Sequence, residues 1–380
     1  MWTPSEIIIN DSVKNDPVTL NILANCPNAS IKYTSSGKSE DIKAISDVIN
    51  IEDNLLDQVV AGKNVVYISP VGNTDVDQFH MPDPRMNCPS FARLKFASNG
   101  CFYKCDWCYL KLTYRSQRPY ITIKAEHDKL LALTAKYLSK STQPLMFNSG
   151  ELADSLSMEH LTMFGRDFIP WFANAGHGCL FMLTKSDNVE HILNLNHGKH
   201  TVIAWSMNEP CVSRKFEIGA PAFERRLEAA EQVQQAGYPI RIRLDPIVPF
   251  DGWKEAYADT IARLFPRLNP DKITLGTLRF EEGFYKQRNS IFQTGQELTQ
   301  YVDGMIPMLP IETIKGGKKD KDSQGKYSFA EPMRIDIFKF IIAEIRKHTQ
   351  SPISLCKEST AVWNAVGLSS TLGQCVCQLP

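Results

Sequence analysis

The stretch Cys101-Phe-Tyr-Lys-Cys105-Asp-Trp-Cys108 places three cysteines within eight residues. Thiolates at such close spacing can converge on one inorganic centre. Structural zinc usually takes four ligands in two separated pairs, and no second Cys or His pair lies nearby at a matching interval. Three cysteines without a fourth therefore favour an iron–sulfur cluster with one iron left open. A zinc knuckle or unrelated thiols are the alternatives.

The composition is that of an ordinary globular protein, with 380 residues, 43% of them hydrophobic and 22% charged. Basic and acidic residues are equal in number, 42 each, so nucleic-acid binding would need a local basic face. No run of about eighteen apolar residues predicts a membrane span. The N-terminus, Met1-Trp-Thr-Pro-Ser-Glu6, lacks the basic and apolar regions of a signal peptide. We therefore expect the ten cysteines to lie in a reducing cytoplasm, with no membrane partner.

Apolar strands alternate with helical segments along most of the chain, which predicts an α/β fold with a parallel sheet, open or curled into a partial barrel. We expect an N-terminal α/β segment over residues 1–90, a barrel over 91–285 and a C-terminal extension over 286–380. The predicted strands are Ser5–Asn10, Lys63–Ser69, Phe91–Phe96, Leu145–Phe147, Cys179–Leu183, Thr201–Trp205, Ile240–Leu244 and Lys272–Leu275. The predicted helices are residues 40–61, His127–Leu138, Met158–Asn174, Val189–Leu195, Pro221–Ala236, Ala256–Leu268, Arg334–Lys347 and Glu358–Val366. In such folds chemistry gathers at the carboxyl ends of strands, and the three-cysteine stretch follows the first predicted barrel strand.

The cysteine spacing, with an aromatic residue just before the last cysteine, resembles the signature loop of radical S-adenosylmethionine (SAM) enzymes. Further short stretches resemble the spore photoproduct lyase family, in the order of that family and over the middle two thirds of the chain. These stretches are Cys108-Tyr-Leu110, Arg118-Pro-Tyr-Ile121, Glu159-His-Leu-Thr162, Thr184-Lys185, Trp205-Ser-Met-Asn208, Arg225–Tyr238, Asp245-Pro-Ile-Val-Pro249, Asp251-Gly-Trp253 and Leu278-Arg-Phe280. The resemblance implies a partial (β/α)6-type radical SAM barrel.

The resemblance also implies a cofactor set. Cys101, Cys105 and Cys108 would bind a [4Fe–4S] cluster, and SAM would chelate the fourth iron. One electron, from a donor such as flavodoxin or ferredoxin, would cleave SAM to methionine and a 5′-deoxyadenosyl radical that abstracts hydrogen from a substrate. The residues implied to contact SAM are Trp107 at the adenine, Ser149, Gly150 and Glu151 at the methionine ammonium, Lys185 at the carboxylate, and Ser206 and Asn208 nearby. Asp154 is expected to cap the next helix, and a solvent-exposed lysine is the alternative for Lys185.

Two further residues match substrate-site positions of the family. Tyr109 matches a tyrosine that relays hydrogen between a thiol and the adenosyl group. Arg279 matches an arginine near the DNA lesion, and a structural ion pair with Glu281 or Glu282 is its alternative.

One departure from the family concerns the hydrogen donor. Spore photoproduct lyase carries a cysteine in the stretch that matches Phe147–Leu156, and that thiol donates hydrogen to the substrate radical. The sequence Asn148-Ser-Gly-Glu-Leu-Ala-Asp154 has none. Cys179 or Cys211 would substitute only if the fold brings one of them to the site.

The C-terminal cysteines are a second departure. A helix over Glu358–Val366 would return the chain, so that Cys356, Cys375 and Cys377 lie together. Three thiols can bind an auxiliary cluster, a metal or a thiophilic substrate, or one can donate hydrogen. Unrelated thiols on a frayed terminus are the alternative.

Three functional hypotheses follow. The first is a radical SAM enzyme, of lyase or transferase type, that abstracts hydrogen from a thymine-type base or nucleotide in DNA during repair or modification. Arg279, Tyr285, Lys286 and the lysine-rich loop Lys315–Gly325 would then contact phosphates, although that loop also suits a solvated surface. The second is a radical SAM enzyme that acts on a small molecule or free nucleoside, with the C-terminal cysteines near the substrate. The third is an Fe–S or zinc module that senses redox state.

Overall fold

The structure is a computed structural model that describes residues 1–35, 55–81, 86–111, 119–281 and 326–379. Its strands, numbered along the chain, are Glu6–Asn10 (β1), Ser30–Thr34 (β2), Val65–Ser69 (β3), Val76–Phe79 (β4), Phe91–Leu94 (β5), Ala97–Ser98 (β6), Ile121–Lys124 (β7), Leu145–Asn148 (β8), Gly178–Thr184 (β9), Thr201–Met207 (β10), Ile240–Ile247 (β11), Lys272–Thr277 (β12), Arg279–Glu281 (β13), Lys326–Ser328 (β14) and Ile353–Leu355 (β15). The α-helices are Pro17–Asn25 (α1), Leu55–Gly62 (α2), His127–Leu138 (α3), Glu159–Thr162 (α4), Phe164–Ala173 (α5), Pro210–Phe216 (α6), Phe223–Gln235 (α7), Trp253–Leu264 (α8), Glu331–Arg346 (α9) and Thr360–Ala365 (α10).

An eight-stranded sheet carries the predicted barrel. Its order is β15-β12-β11-β10-β9-β8-β5-β4, and only the edge strand β4 is antiparallel to its neighbour. The central strands are almost continuously apolar and buried, as parallel strands covered on both faces require. Because β15 and β4 form separate edges, the sheet is open in the part of the chain that the structure describes. The predicted α/β class and partial barrel are confirmed.

The two faces of this sheet pack against different partners. Alternate residues such as Leu180 and Met182 on β9 belong to the main hydrophobic core, together with buried residues of the flanking helices. The residues between them, such as Phe181, form a second cluster with Val376 from the C-terminal tail. Because side chains alternate across a strand, the helices lie outside the barrel and the tail lies inside it.

A second sheet has five strands in the order β2-β1-β3-β7-β6. Its strands β1, β2 and β3 come from the first 90 residues, and β6 and β7 come from later in the chain. Strands β6 and β7 come from within the predicted barrel segment, whereas β4 and β15 come from outside it and join the larger sheet. Each sheet therefore takes strands from both sides of the predicted boundaries. The three-cysteine stretch begins shortly after β6, in the connection from β6 to β7 of this second sheet.

Two predicted helices are wrong in detail. The predicted helix Met158–Asn174 is two helices, because the Glu159 carboxylate accepts the Gly165 N–H at 2.8 Å and Met163 takes a left-handed conformation between them. Residues 189–195 form consecutive turns instead of a helix, with Ile192 N–H donating to the Val189 carbonyl three residues back. Apolar residues three apart fit such turns as well as they fit a helix.

Two predicted segments lie wholly or partly outside the described residues. The helix over residues 40–61 is described only from Leu55, and the lysine-rich loop Lys315–Gly325, with Tyr285 and Lys286, is outside the described ranges. Among the helices that the structure describes, none has the length and apolar character needed to cross a bilayer.

Candidate active site

The three-cysteine loop, residues 99–108, is fixed by backbone hydrogen bonds on both of its sides. The Gly100 N–H donates to the Leu152 carbonyl at 3.1 Å, in the segment that follows β8. The Lys104 N–H donates to the Ile218 carbonyl at 2.8 Å, in the segment that follows α6. The loop therefore bridges two connections at the carboxyl edge of the barrel sheet, where ligands of such folds bind.

The thiols of this loop lie in a buried, cationic environment. Burial raises the pKa of Cys105 to about 12, and the positive charge of Lys185 acts in the opposite direction. Lys63 is itself buried, and its Nζ donates to Asn99 Oδ1 at 2.6 Å. Burial lowers the pKa of Lys63, while the nearby Cys108 and Cys101 oppose that change. Two lysines thus provide positive charge beside the thiols, which partly offsets the effect of burial against the thiolate form that metals need.

The donor set fits the cluster that the sequence predicts. In the described ranges no three His, Cys, Asp or Glu side chains converge on a single metal ion, and this applies to the loop cysteines and to the tail cysteines alike. A [4Fe–4S] cluster does not need such convergence, because each thiolate binds a different iron. Three free thiols with compensating cations therefore suit a cluster better than a mononuclear zinc site.

Lys185 directly follows β9 and points a positive charge towards the loop. Its Nζ lies 3.6 Å from Glu217 Oε1, and the side chain is 21% exposed. Burial alone would lower the pKa of Lys185, but Glu217 and Cys105 raise it above the ordinary value. The Asp154 carboxylate accepts the Lys185 N–H at 2.7 Å and so fixes the backbone there. The predicted solvent-exposed alternative does not describe Lys185, which is a positioned cation able to bind a carboxylate.

Glu217 is held in turn by Arg226, a residue that the sequence analysis did not single out. Arg226 is 1% exposed and its Nη1 lies 2.6 Å from Glu217 Oε2. The same guanidinium donates to Ser213 Oγ at 2.9 Å and to the Ser206 carbonyl at 3.1 Å. Burial opposes ionisation of Glu217, but Arg226 and Lys185 lower its pKa below the ordinary value. Glu217 is thus a buried carboxylate that orients Lys185.

The segment after β8 is packed tightly against β9. A Cβ atom at Gly150 would lie 2.5 Å from Leu183 Cβ, so a side chain does not fit there. The Ser149 hydroxyl bonds to Ser155 Oγ at 2.9 Å, and the Gly150 N–H donates to Asn148 Oδ1 at 2.8 Å. A ligand at this segment would therefore use backbone carbonyl oxygens or the carboxylate of Glu151, and the ammonium contact stays a prediction.

The structure brings Tyr109 to the same segment. The Tyr109 hydroxyl donates to the Glu151 carbonyl oxygen, and the side chain is exposed. The expectation that Asp154 caps the next helix is wrong, because Met158 is the N-cap of α4. Asp154 instead accepts the Thr184 hydroxyl at 2.7 Å and so joins the segment after β8 to the end of β9. Two predicted site residues, Tyr109 and Glu151, therefore lie in contact at the carboxyl edge.

The remaining predicted SAM contacts differ in what they can offer. Ser206 is buried at the end of β10. The Asn208 carboxamide is committed to the scaffold: it donates to the Pro246 carbonyl at 2.9 Å and accepts from the Tyr257 hydroxyl at 2.8 Å. The indole N–H of Trp107 is buried and finds no acceptor among the described residues. An unsatisfied buried donor costs free energy, so this N–H fits a bound acceptor such as a nucleoside.

Below this edge the barrel interior carries two arginines that share one carboxylate. Asp245 Oδ2 accepts from Arg243 Nη2 at 2.5 Å and from Arg279 Nη2 at 3.0 Å. Burial opposes ionisation of Asp245, but Arg279 and Arg243 hold its pKa well below the usual range. Both guanidiniums also donate to Cys356 Sγ, at 3.0 and 3.2 Å. The carboxylate partner of Arg279 in the described structure is thus Asp245, and this group retains one excess positive charge.

The other cysteines considered as donors occupy different places. Cys179 lies at the start of β9 inside the barrel, and burial raises its pKa to about 11. Cys211 is exposed on α6 and accepts a hydrogen bond from Arg214 at 3.2 Å. Cys88 lies close enough to Cys356 and Cys375 for their charges to add to burial in raising its pKa to about 12.

The comparisons with known proteins agree with this geometry. A family model described as spore photoproduct lyase matches residues 86–301, which is more than half of the chain. The spore photoproduct lyase of Geobacillus sp. is 31% identical over 185 residues, covering 48% of this chain and 53% of that protein. The enzyme of Bacillus subtilis is 31% identical over 175 residues, covering 46% and 51%. The chain spans about half the length of the curated relatives it matches.

Solved structures show the same fold over nearly the whole chain. Spore photoproduct lyase complexed with dinucleoside spore photoproduct has a TM-score of 0.72 and 20% identity, covering 93% of this chain and 98% of that one. A mutant with bound AdoMet (SAM) and dinucleoside spore photoproduct has a TM-score of 0.73, 20% identity and the same coverage. The partial barrel with a three-cysteine loop at its carboxyl edge is the architecture of a radical SAM protein. The chain belongs to the spore photoproduct lyase family.

Proposed function

We propose that this protein is a radical SAM enzyme that acts on a thymine-type photoproduct or related nucleotide of DNA. The observation that carries the proposal is the placement of Lys185 and Glu217 directly beside Cys105 at the carboxyl edge of the barrel. This arrangement gives a cluster site and a carboxylate site within one buried environment. Family membership and the named activity of the relatives support the same reaction class.

The roles of the residues follow from their chemistry. Cys101, Cys105 and Cys108 would hold a [4Fe–4S] cluster, which with SAM supplies the 5′-deoxyadenosyl radical on reduction by a donor of the flavodoxin or ferredoxin class. The Lys185 ammonium, kept charged by Glu217, binds the SAM carboxylate, and Glu151 accepts from the SAM ammonium. Trp107 offers its unsatisfied N–H and its ring to the nucleoside.

Substrate binding is assigned to the interior arginines. Arg243 and Arg279 present two guanidiniums against the single charge of Asp245, so an anionic ligand would complete the neutralisation. A phosphodiester oxygen suits the planar fork of a guanidinium. We assign Arg279 and Arg243 to the phosphate of the substrate, and Tyr109 to hydrogen transfer beside Glu151.

Anaerobic reconstitution tests the proposal. About four irons per chain and formation of 5′-deoxyadenosine on reduction are expected. Cys105→Ala should lose both the iron and SAM cleavage, while the matched control Cys26→Ala, in the N-terminal segment, should retain them. Iron-free, zinc-loaded protein that does not cleave SAM would overturn the proposal and restore the redox-sensing hypothesis.

A free nucleotide or small molecule is the second candidate substrate. It is favoured by the C-terminal tail, whose Val376 is packed inside the barrel and reduces the space there. Binding of a DNA duplex should weaken steeply as salt increases, because phosphate contacts release counterions. Conversion of the dinucleoside spore photoproduct with no salt-sensitive DNA binding would select the free nucleotide.

A further inference from the structure

The C-terminal tail, residues 375–379, packs inside the barrel, where Val376 joins the inner hydrophobic cluster. Arg241 Nη1 donates to the carbonyls of Val376 and Gln378, both at 2.5 Å. The Val376 N–H donates to Thr274 Oγ1 at 2.9 Å. Arg241 is fully buried and Val376 is 1% exposed. These contacts fix the tail, so its cysteines are not on a frayed terminus.

The tail places Cys377 against the carboxyl end of β8. Asn148 Nδ2 lies 4.0 Å from Cys377 Sγ, which is a donor–acceptor contact to sulfur. Asn148 begins the stretch Asn148–Asp154, in which the family has a thiol and this chain has none. Cys377 therefore brings a thiol from 229 residues away in sequence to the first residue of the stretch that lacks one.

Cys375 supplies a partner for this thiol. The two side chains hydrogen-bond to each other, and this contact is the largest influence on both. It lowers the pKa of Cys375 to about 6 against the effect of burial, while it raises the pKa of Cys377 well above the ordinary value. Cys375 is thus the hydrogen-bond partner that orients the Cys377 thiol.

We infer that Cys377 is the hydrogen-atom donor to the substrate radical, with Cys375 as the residue that positions its thiol. This inference rests on the proposed function, which supplies the radical. In the step the Cys377 S–H bond breaks, a C–H bond forms on the substrate carbon, and the unpaired electron moves to sulfur. No external oxidant or reductant takes part in that step. A hydrogen atom from 5′-deoxyadenosine, which forms in the proposed reaction, would restore the S–H bond, and the unpaired electron would then lie on the 5′-deoxyadenosyl group.

A deuterium-transfer experiment tests the assignment. The reconstituted enzyme is exchanged into D2O without added thiols, which converts Cys377 to S–D, and is given dinucleoside spore photoproduct. Wild type should transfer deuterium to the repaired product. Cys377→Ala should form 5′-deoxyadenosine but lose the deuterium transfer, and the matched control Cys211→Ala should behave as wild type. Undiminished transfer by Cys377→Ala, or loss of transfer in Cys356→Ala instead, would overturn the inference.

Restoration of a thiol at β8 gives the complementary test. In Cys377→Ala, the further change Asn148→Cys places a thiol beside the vacated position and should restore transfer. A separate experiment does not depend on turnover and measures alkylation of the cysteines by peptide mass spectrometry. Dinucleoside spore photoproduct should slow the alkylation of Cys377 in the SAM-bound enzyme. It should not slow the alkylation of Cys211. Equal alkylation rates with and without this ligand would contradict the placement. Failure of SAM cleavage in wild type would instead count against the proposed function itself.

Discussion

Replacement of Arg226 by methionine should destabilise the protein by about 3–5 kcal/mol, because it removes one partner of a buried ion pair. The guanidinium donates to the Pro221 and Ser206 carbonyls at 2.7 and 3.1 Å and lies 2.6 Å from Glu217. Methionine has a similar length but no charge, so Glu217 would remain buried with Lys185, at 3.6 Å, as its cationic partner.

The magnitude is large relative to the stability of a typical domain, about 5–15 kcal/mol. Most of the cost arises because the buried Glu217 carboxylate loses its closer cation and keeps only Lys185, and not from lost packing. The double variant Arg226→Met/Glu217→Met removes that charge as well, and should therefore recover much of the lost stability.

Urea unfolding of the two single variants and the double variant measures this coupling. The control is Arg225→Met. Arg225 lies one position earlier, and its side chain is 71% exposed in an ion pair with Asp187. That change should cost less than about 1 kcal/mol, as is usual for exposed pairs. A loss at Arg226 no greater than the loss at Arg225, or a double variant as unstable as Arg226→Met, would refute the reasoning.

Three further predictions concern the interior charges and Tyr109. Arg279 and Arg243 lower the pKa of Asp245 in the fold against the effect of burial, so its ionised carboxylate stabilises the protein above the unfolded-state pKa of about 3.9 and this contribution is lost as the pH falls. Asp245→Asn should therefore flatten the decrease in the free energy of unfolding below about pH 5, as measured by urea titrations. An unchanged slope would argue against this effect. Lys63→Met removes a buried positive charge beside three thiols, so the reconstituted cluster should have a more negative reduction potential in an EPR titration, and the same potential as wild type would contradict this. Tyr109→Phe removes the hydrogen bond to the Glu151 carbonyl and should cost about 0.5–1.5 kcal/mol of stability; it should keep the iron but yield less product per 5′-deoxyadenosine by chromatography, and a constant ratio would exclude the hydroxyl from hydrogen transfer.

The sequence predicted the fold class and the chemistry of the three-cysteine loop, because both depend on local patterns. Strand–helix alternation reports which segments are buried on two faces, and it located β9, β10, β11 and the helix His127–Leu138 well. It failed at Val189–Leu195, where apolar residues three apart occur in successive turns. It also missed that β15, after a long C-terminal segment, completes the edge of the barrel sheet.

The predicted site residues depended on the family resemblance for their roles and on the fold for their neighbours. The sequence could place Lys185 after a strand, but not beside Glu217, because that contact depends on how α6 ends and how α7 packs. For Asn208 the resemblance implied a place near SAM, but the fold commits its carboxamide to hydrogen bonds with Pro246 and Tyr257.

The sequence by itself determined the donor atoms of this protein: three thiols at a spacing that suits one cluster, and further thiols near its C-terminus. Ligand identity and short spacing are covalent properties of the chain, so they can be read without a fold. Only the tertiary structure decided that Cys377 meets Asn148 and that Arg279 shares Asp245 with Arg243. These contacts join segments far apart in sequence. They form because the tail is buried inside the barrel and because alternate side chains of each strand point to that interior.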